Sequence, residues 1–161
     1  MSRQGALEDE RGFTLVEVLI TIVIMGIVLA VATSSWFKVA ETRRVDSATN
    51  QVVADLRLAH TQAKNRLIDT SFVVPSADSS TYQIGPAADL KTRTLPGDDQ
   101  GTPKTKILAA TTITFHSDGR AEIDPPGEIT VAAIDEDCVD DGDPCHTINV
   151  NSVTSRVKVV N

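Results

Sequence analysis

The sequence has little basic charge, few cysteines and no motif of a catalytic site. It carries 15 Lys and Arg against 22 Asp and Glu, a formal net charge of −7. This acidic balance does not favour a general nucleic-acid binder, which needs cations to contact phosphates. The sequence has two cysteines and three histidines, and they do not form the two closely spaced ligand pairs that are typical of a zinc site. No nucleophile motif or Gly-rich phosphate loop accompanies the histidines, so the sequence predicts neither an enzyme nor a cofactor.

One long apolar run is present, from residue 13 to residue 32. As an α-helix it measures about 30 Å, the thickness of a bilayer hydrocarbon core. Trp36 and Lys38 follow the run, as side chains that anchor a helix at a membrane surface do. Glu17 interrupts it, although a carboxylate in lipid costs about 2.5–3.5 kcal/mol and usually has a partner. A secretory signal peptide has a shorter apolar core, and neither it nor a plain signal anchor explains Glu17.

The stretch RGFTLVEVLI at residues 11–20 resembles the class III leader of type IV pilins and type II secretion pseudopilins. The residues that match its motif are Gly12, Phe13, Thr14, Leu15 and Glu17. The resemblance implies that residues 1–12 are a leader, that a prepilin peptidase cleaves between Gly12 and Phe13, and that Phe13 is then N-methylated. The leader is acidic, whereas family leaders tend to be basic.

Glu17 is the fifth residue after the implied cleavage site, the position of the family's assembly glutamate. Cleavage creates a charged amine on Phe13, and Glu17 of one subunit would neutralise the amine of its neighbour in a filament. A buried ion pair of this kind sets the stagger between helices. The alternative is that Glu17 pairs with the amine of its own chain.

Beyond residue 34 the apolar residues recur at helical spacing. This stripe comprises Val45, Ala48, Val52, Leu56, Ala59, Ala63 and Leu67. Charged residues, Asp55 among them, are placed off the stripe. The pattern predicts one helix over residues 13–67, with 13–32 spanning the membrane and the second half burying its stripe against a sheet.

Residues 68–161 have the alternation of short strands. The predicted strands lie at 71–74, 81–84, 110–123 (a hairpin), 128–134, 147–150 and 156–160, and residues 85–106 are predicted to be a loop. A long helix followed by six or seven strands predicts an α+β, pilin-like fold, with the N-terminal helix packed on a small antiparallel β-sheet domain.

The stretch ITFHSDGRAEI at residues 113–123 resembles the hairpin of the GspH/FimT group of minor pseudopilins and minor pilins. Ile113, Phe115, Gly119 and Arg120 match that hairpin, whereas Ser155 stands where a glycine is typical before Arg156. The resemblance implies a structural subunit of a type II secretion pseudopilus or a type IV pilus. The alternative that it implies is a minor pilin acting as a DNA receptor, with Arg156 and Lys158 as the contacts.

The same resemblance implies the surroundings of the chain. The partners would be the prepilin peptidase, other pilins or pseudopilins of the filament and the inner-membrane assembly platform. The chain would cross the inner membrane once, with its C-terminal domain in the periplasm. Nucleic acid is not an expected partner, because the basic residues near the C-terminal strands are few.

Cys138 and Cys145 lie far beyond the membrane helix, in a domain that would be exported to an oxidising space, so we expect a disulfide between them. The segment between them is acidic, and its Ca²⁺ candidates are Asp137, Asp141 and Asp143. It is not an EF-hand, because Val139 and Ile148 occupy ligand positions. A solvated acidic loop held by the disulfide is therefore favoured over a Ca²⁺ loop.

Overall fold

The structure, a computed structural model, describes residues 13–97, 100–138 and 143–160, without the side chains of residues 33–35 and 37. It divides into two compact units between Lys38 and Val39. The first unit holds the beginning of the helix α1 (Leu15–Arg66), and the second holds the remainder of α1 and the strands. The observed helix is close to the predicted range of 13–67.

Nine strands follow α1 in the described residues. They are β1 (Thr70–Val74), β2 (Thr81–Pro86), β3 (Lys91–Thr94), β4 (Thr105–Ile107), β5 (Thr111–Phe115), β6 (Ala121–Asp124), β7 (Ile129–Ala133), β8 (Cys145–Val150) and β9 (Val157–Val160). They form a five-stranded antiparallel sheet of order β3-β2-β1-β5-β6 and a four-stranded antiparallel sheet of order β4-β7-β8-β9. The predicted α+β, pilin-like fold is confirmed.

The apolar stripe of α1 supplies one wall of the core in the second unit. Six of its seven predicted members, from Val45 to Ala63, are fully buried. They share one hydrophobic cluster with residues of both sheets, such as Phe72, Ile113 and Ile148. Burying a large aliphatic or aromatic side chain contributes about 1.5–3 kcal/mol, so this cluster is the main reason that the helix and the sheets stay together.

Two predictions for the helix were wrong. Leu67 was placed in the stripe, but α1 ends at Arg66 and Leu67 is 75% exposed with a φ of 55°. A left-handed residue commonly terminates a helix, and it turns the side chain away from the buried face. Asp55 was placed off the stripe, yet it is buried. A partner on the sheet accounts for its burial, and no helical periodicity could have revealed that partner.

The predicted loop over residues 85–106 was also partly wrong, because it contains β3 and the beginning of β4. Strand β3 pairs with β2, with Tyr82 opposite Arg93, and β4 pairs with β7. All four residues of β3 are exposed, so the strand has no apolar alternation to detect. The two predicted hairpins are confirmed: Ile113 lies opposite Ile123, and Ile148 lies opposite Val159.

Asp55 joins α1 to β2 and β3 through a buried polar network. The Tyr82 hydroxyl donates a hydrogen bond of 2.5 Å to Asp55 Oδ2 and accepts one of 2.9 Å from Gln51 Nε2. Arg93 Nε lies 3.5 Å from the same Asp55 oxygen. Burial, and then the hydrogen bond to Asp55, raises the pKa of Tyr82, so its hydroxyl remains a proton donor at neutral pH.

We expect Tyr82→Phe to lower the free energy of unfolding by about 1–3 kcal/mol, because the buried Asp55 carboxylate loses its closest donor. The measurement is chemical denaturation of the two proteins. Thr61→Val is the matched control, since that hydroxyl bonds only to the Arg57 carbonyl on the exposed side of α1. Equal stability of Tyr82→Phe and the parent would contradict the role of the network.

Two His–Asp pairs attach the sheets to α1 and to the connection that follows it. His146 Nε2 lies 2.6 Å from Asp46 Oδ1, and His116 Nδ1 lies 2.9 Å from Asp69 Oδ2. Asp69 also accepts a hydrogen bond of 3.1 Å from the Ser117 amide. The hydrogen bond to Asp69 raises the pKa of His116, and the same bond lowers the pKa of Asp69.

The pKa of His60 shifts in the opposite direction to that of His116, since burial and then the neighbouring Lys64 lower it. An NMR titration should therefore place the His116 midpoint above 6.5 and the His60 midpoint below it. Asp69→Asn should lower the His116 midpoint and leave His60 unchanged. The stabilising effect of the raised His116 pKa is complete below pH 6.5 and is lost as the pH rises through the folded-state value. Coincident midpoints would refute the assignment.

Candidate functional site

The beginning of α1 is a capped helix start built around Thr14. The Glu17 amide donates a hydrogen bond of 3.2 Å to the Thr14 hydroxyl, and the Val18 amide donates one of 3.2 Å to the Thr14 carbonyl. Thr14 is thus the N-cap, and Glu17 is the third residue of the helix, the spacing of a capping box. An acidic side chain in this first turn also faces the positive end of the helix dipole.

The side chains that follow Glu17 are apolar and uncovered. Residues 15–32 form a segment long and apolar enough to cross a membrane, and none of it is buried in the structure. Its length as a helix is about 27 Å. Glu17 is the one charged residue in this segment. The Thr21 hydroxyl donates to the Val18 carbonyl at 2.8 Å, so this polar group is satisfied within the helix.

The predicted cleavage site falls at the edge of the described residues. Phe13 is described and is 81% exposed, whereas Gly12 lies outside the described residues. The sequence motif identified Thr14 as a matching residue but not its capping contact. The T-x-x-E spacing before an apolar run is the signal that could have predicted it.

Thr14→Val should weaken the first turn of α1, because valine cannot accept a hydrogen bond from the Glu17 amide. The Glu17 carboxylate should then be held less firmly in place. Loss of an N-cap costs about 0.5–2 kcal/mol. We expect incorporation into filaments to fall while peptidase cleavage and membrane insertion persist. Thr14→Ser is the control, since it keeps the hydroxyl and should assemble normally. Normal incorporation of Thr14→Val would contradict a positioning role.

The acidic segment near the cysteines is held by a disulfide and by one lysine. The structure joins Cys138 to Cys145 in a disulfide. Lys106 Nζ lies 3.2 Å from Asp137 Oδ1 and 3.3 Å from Asp78 Oδ1, and its side chain is only 10% exposed. Burial alone would lower the pKa of Lys106, but its two carboxylate partners outweigh burial and raise the pKa.

Two of the three Ca²⁺ candidates, Asp137 and Asp143, belong to the described residues. Asp137 is engaged by Lys106, Asp141 lies outside the described residues, and the Asp143 carbonyl accepts the Cys145 amide at 2.8 Å. Within the described ranges, no three His, Cys, Asp or Glu side chains are grouped to hold a metal ion. Lys106 was missed as a partner of this segment because it lies more than thirty positions away on β4.

Arg156 and Lys158 lie in one shallow groove of about 420 Å³ on the β8–β9 hairpin. Its other lining residues are polar: Asn149, Asn151 and Thr154. Asn149 Nδ2 donates to Glu128 Oε1 at 3.0 Å, which brings a carboxylate beside the cations. Arg120 does not line this groove; it lines a separate groove beside β6.

Ser155 takes the conformation that glycine would favour at its position. Its φ is 52°, it is buried, and its hydroxyl donates to the Gly119 carbonyl at 2.8 Å. The Ala121 amide donates to the Ser152 carbonyl at 2.9 Å, so the β5–β6 and β8–β9 turns are joined at two points. The departure from the family pattern is therefore accommodated by a hydroxyl that ties the two hairpins together.

A capped, exposed apolar helix with one carboxylate, followed by an α+β unit, defines a pilin-like subunit. The family model of the prokaryotic N-terminal methylation motif matches residues 9–33, and that of the type II transport protein GspH matches residues 48–154. The chain belongs to the GspH family, a group of structural subunits, and is a GspH/FimT-like pseudopilin. Neither a curated protein nor a solved structure matches the chain significantly.

Proposed function

We propose that this pseudopilin is a minor subunit of a type II secretion pseudopilus, which assembles through the start of α1. The observation that carries the proposal is the position of Glu17, the one charged residue of an exposed apolar segment that can span a bilayer. An uncompensated carboxylate there is costly, and it usually has a partner. Cleavage after Gly12 supplies one, the amine of Phe13 on a neighbouring subunit.

The partners follow from this mechanism. The prepilin peptidase removes residues 1–12 and methylates Phe13, and the inner-membrane assembly platform then transfers the subunit into a filament of other pseudopilins. Helices that leave the bilayer side by side exclude water around the ion pair. Breaking such a buried pair costs about 3–5 kcal/mol, so the pair favours one stagger between neighbouring helices.

The proposed location is the inner membrane, crossed once by residues 13–32, with residues 39–161 on the periplasmic side. Arg11 is next to the membrane segment and favours a cytoplasmic N-terminus. The Cys138–Cys145 disulfide is consistent with an oxidising compartment for the second unit.

The test is deletion of this chain from its host, followed by assays of secreted proteins and of natural transformation. A secretion subunit predicts loss of secreted enzymes from the medium with transformation unchanged. Complementation with the parent chain should restore secretion, and complementation with Glu17→Val should not. Normal secretion in the deletion strain would overturn the proposal.

The second candidate is a DNA receptor, and the groove that holds both Arg156 and Lys158 is the observation in its favour. Two cations beside Glu128, in a chain with net negative charge, provide few phosphate contacts. We therefore expect duplex DNA to bind no tighter than roughly 10⁻⁴ to 10⁻⁶ M at physiological salt. Submicromolar binding that Arg156→Ala and Lys158→Ala abolish would favour the receptor instead.

A further inference from the structure

Strand β6 is the last strand of the five-stranded sheet and has an unpaired edge. The His116 amide donates to the Arg120 carbonyl across the hairpin, whereas the next amide, that of Ala121, points away from β5 to the Ser152 carbonyl. Backbone groups alternate in direction along an antiparallel strand, so the amide and carbonyl of Ile123 also point away from β5. Among the described residues, no strand pairs with this outer edge.

An open groove of about 730 Å³ runs beside that edge. Its lining includes Ala121, Glu122 and Ile123 of β6 together with Pro126, Gly127, Val150 and Ser152. The Ala121 amide is bonded to the Ser152 carbonyl, and among the described residues no further backbone hydrogen bond joins β6 to Val150 or Ser152.

The outer face of β6 is acidic. Glu122 and Asp124 are exposed and stand two residues apart, so both project from the face opposite the core, whereas Ala121 and Ile123 pack toward it. Asp118 adds an exposed carboxylate before the strand. Arg120 is a nearby cation, and His116 Nε2 lies 3.5 Å from Glu122 Oε2, so Glu122 has one partner within its own chain. A strand that fills the groove should therefore carry basic side chains at the same two-residue spacing.

Strand β9 of the same chain has that pattern, and no strand of the described ranges pairs with its outer edge. It is the last strand of the four-stranded sheet, and the Asn151 amide donates to the Arg156 carbonyl across its hairpin. By the same alternation, the backbone groups of Val157 and Val159 point outward. Val157 is buried toward the core, whereas Arg156 and Lys158 are exposed on the opposite face.

The apolar side chains of β9 are incompletely covered. Val159 is 43% exposed and Val160 is 51% exposed. Proteins usually protect such an edge with charge, a bulge or a covering segment, because an unpaired strand pairs readily with another chain. Here the charges are of one sign, and they complement the carboxylates of β6.

We propose that β9 of a second copy of this chain adds to β6 and occupies the groove. With Val157 of one copy beside Ile123 of the other, Arg156 and Lys158 flank Glu122 and Asp124 on the outer faces of the two sheets. This match holds for parallel and for antiparallel pairing, since the two charged pairs have the same spacing. Main-chain hydrogen bonds supply affinity and the charges set the register.

The two surfaces of this contact are different, so each copy that joins leaves one β6 edge and one β9 edge free. Such a head-to-tail contact has a direction, so two copies of the minor subunit can adjoin without closing into a symmetric dimer. The inference rests on the proposed function, because anchoring in one membrane brings copies together with a common orientation.

The experiment uses two differently tagged versions of the full chain, solubilised in detergent and treated with nuclease, and measures their co-purification. The parent copies should co-purify. Glu122→Lys with Asp124→Lys in both versions should reduce co-purification about tenfold or more, and so should Arg156→Glu with Lys158→Glu in both versions. When the two charge-reversed proteins are mixed, co-purification should return to the parent level. The new basic side chains on β6 of one protein then face the new acidic side chains on β9 of the other.

Arg57→Glu with Lys91→Glu is the control for altered net charge, as both residues are exposed on other surfaces, and it should co-purify normally. Thermal unfolding of each variant checks that it folds. Absence of self-association in the parent, or absence of recovery in the mixture of folded variants, would overturn strand addition. Glu17→Val should keep this co-purification and lose filament incorporation, so failure of the edge contact is distinguishable from failure of the proposed function.

Discussion

Gly12→Val should leave the full chain of 161 residues uncleaved in cells that contain an active prepilin peptidase. The parent chain should become twelve residues shorter and begin with N-methylated Phe13. Glycine has no Cβ, so the backbone before the scissile bond can approach the enzyme closely, whereas valine blocks that approach. Intact-mass spectrometry of membrane-extracted protein separates the two products directly.

The leader offers a matched control, since Gly5 is the other glycine of residues 1–12. Gly5→Val adds the same side chain seven positions earlier and should be processed like the parent. An uncleaved Gly12→Val protein should also be absent from filaments, because Phe13 then has no free amine for Glu17. A mature N-terminus elsewhere, for example after Ala32, or normal processing of Gly12→Val, would refute the cleavage site.

Glu17→Val should separate membrane insertion from assembly. Insertion should be retained or improved, because removal of a carboxylate from the apolar segment saves about 2.5–3.5 kcal/mol. Filament incorporation should fall strongly, because the Phe13 amine of the neighbour is left without a partner. Loss of one member of a buried pair costs about 3–5 kcal/mol, which corresponds to a decrease of more than a hundredfold.

The measurement compares the chain in the inner-membrane fraction with the chain in sheared filaments. Glu17→Asp retains the charge and should keep part of the incorporation. Thr21→Val is the control for a polar-to-apolar change one turn further along α1, and it should assemble normally because its hydroxyl bonds only within the helix. Incorporation of Glu17→Val at the parent level would mean that the ion pair does not set the stagger.

The segments predicted correctly from the sequence are those whose signal is local. The apolar segment after Thr14 and the stripe from Val45 to Ala63 follow from residue type and helical spacing, because each turn of a helix repeats the same exposure. The β5–β6 hairpin likewise follows from alternation around a turn, and Gly119 there has a φ of 90°, which suits glycine. The resemblance at residues 11–20 singled out Glu17 because the motif is contiguous, and the role of Glu17 in assembly stays a prediction.

Residues whose roles depend on distant partners were decided only by the tertiary structure. Strand β3 is exposed throughout and exists because β2 supplies its hydrogen bonds. Asp55 is buried because Tyr82, 27 positions away, donates to it, and Lys106 is buried because Asp78 and Asp137 neutralise it. The sequence shows that these residues are charged and therefore unfavourable to bury. It does not show which distant partner offsets the free energy of burial.

The same limit applies to the edges of the sheets. Alternation shows which face of a strand is buried, but the order of strands determines which of them have no neighbour. From the sequence, Arg156 and Lys158 are two cations near the C-terminal strands, and Glu122 and Asp124 are two carboxylates on a hairpin. Only the folded chain places each pair on an unpaired edge, because hydrogen bonding between strands depends on contacts between distant parts of the chain.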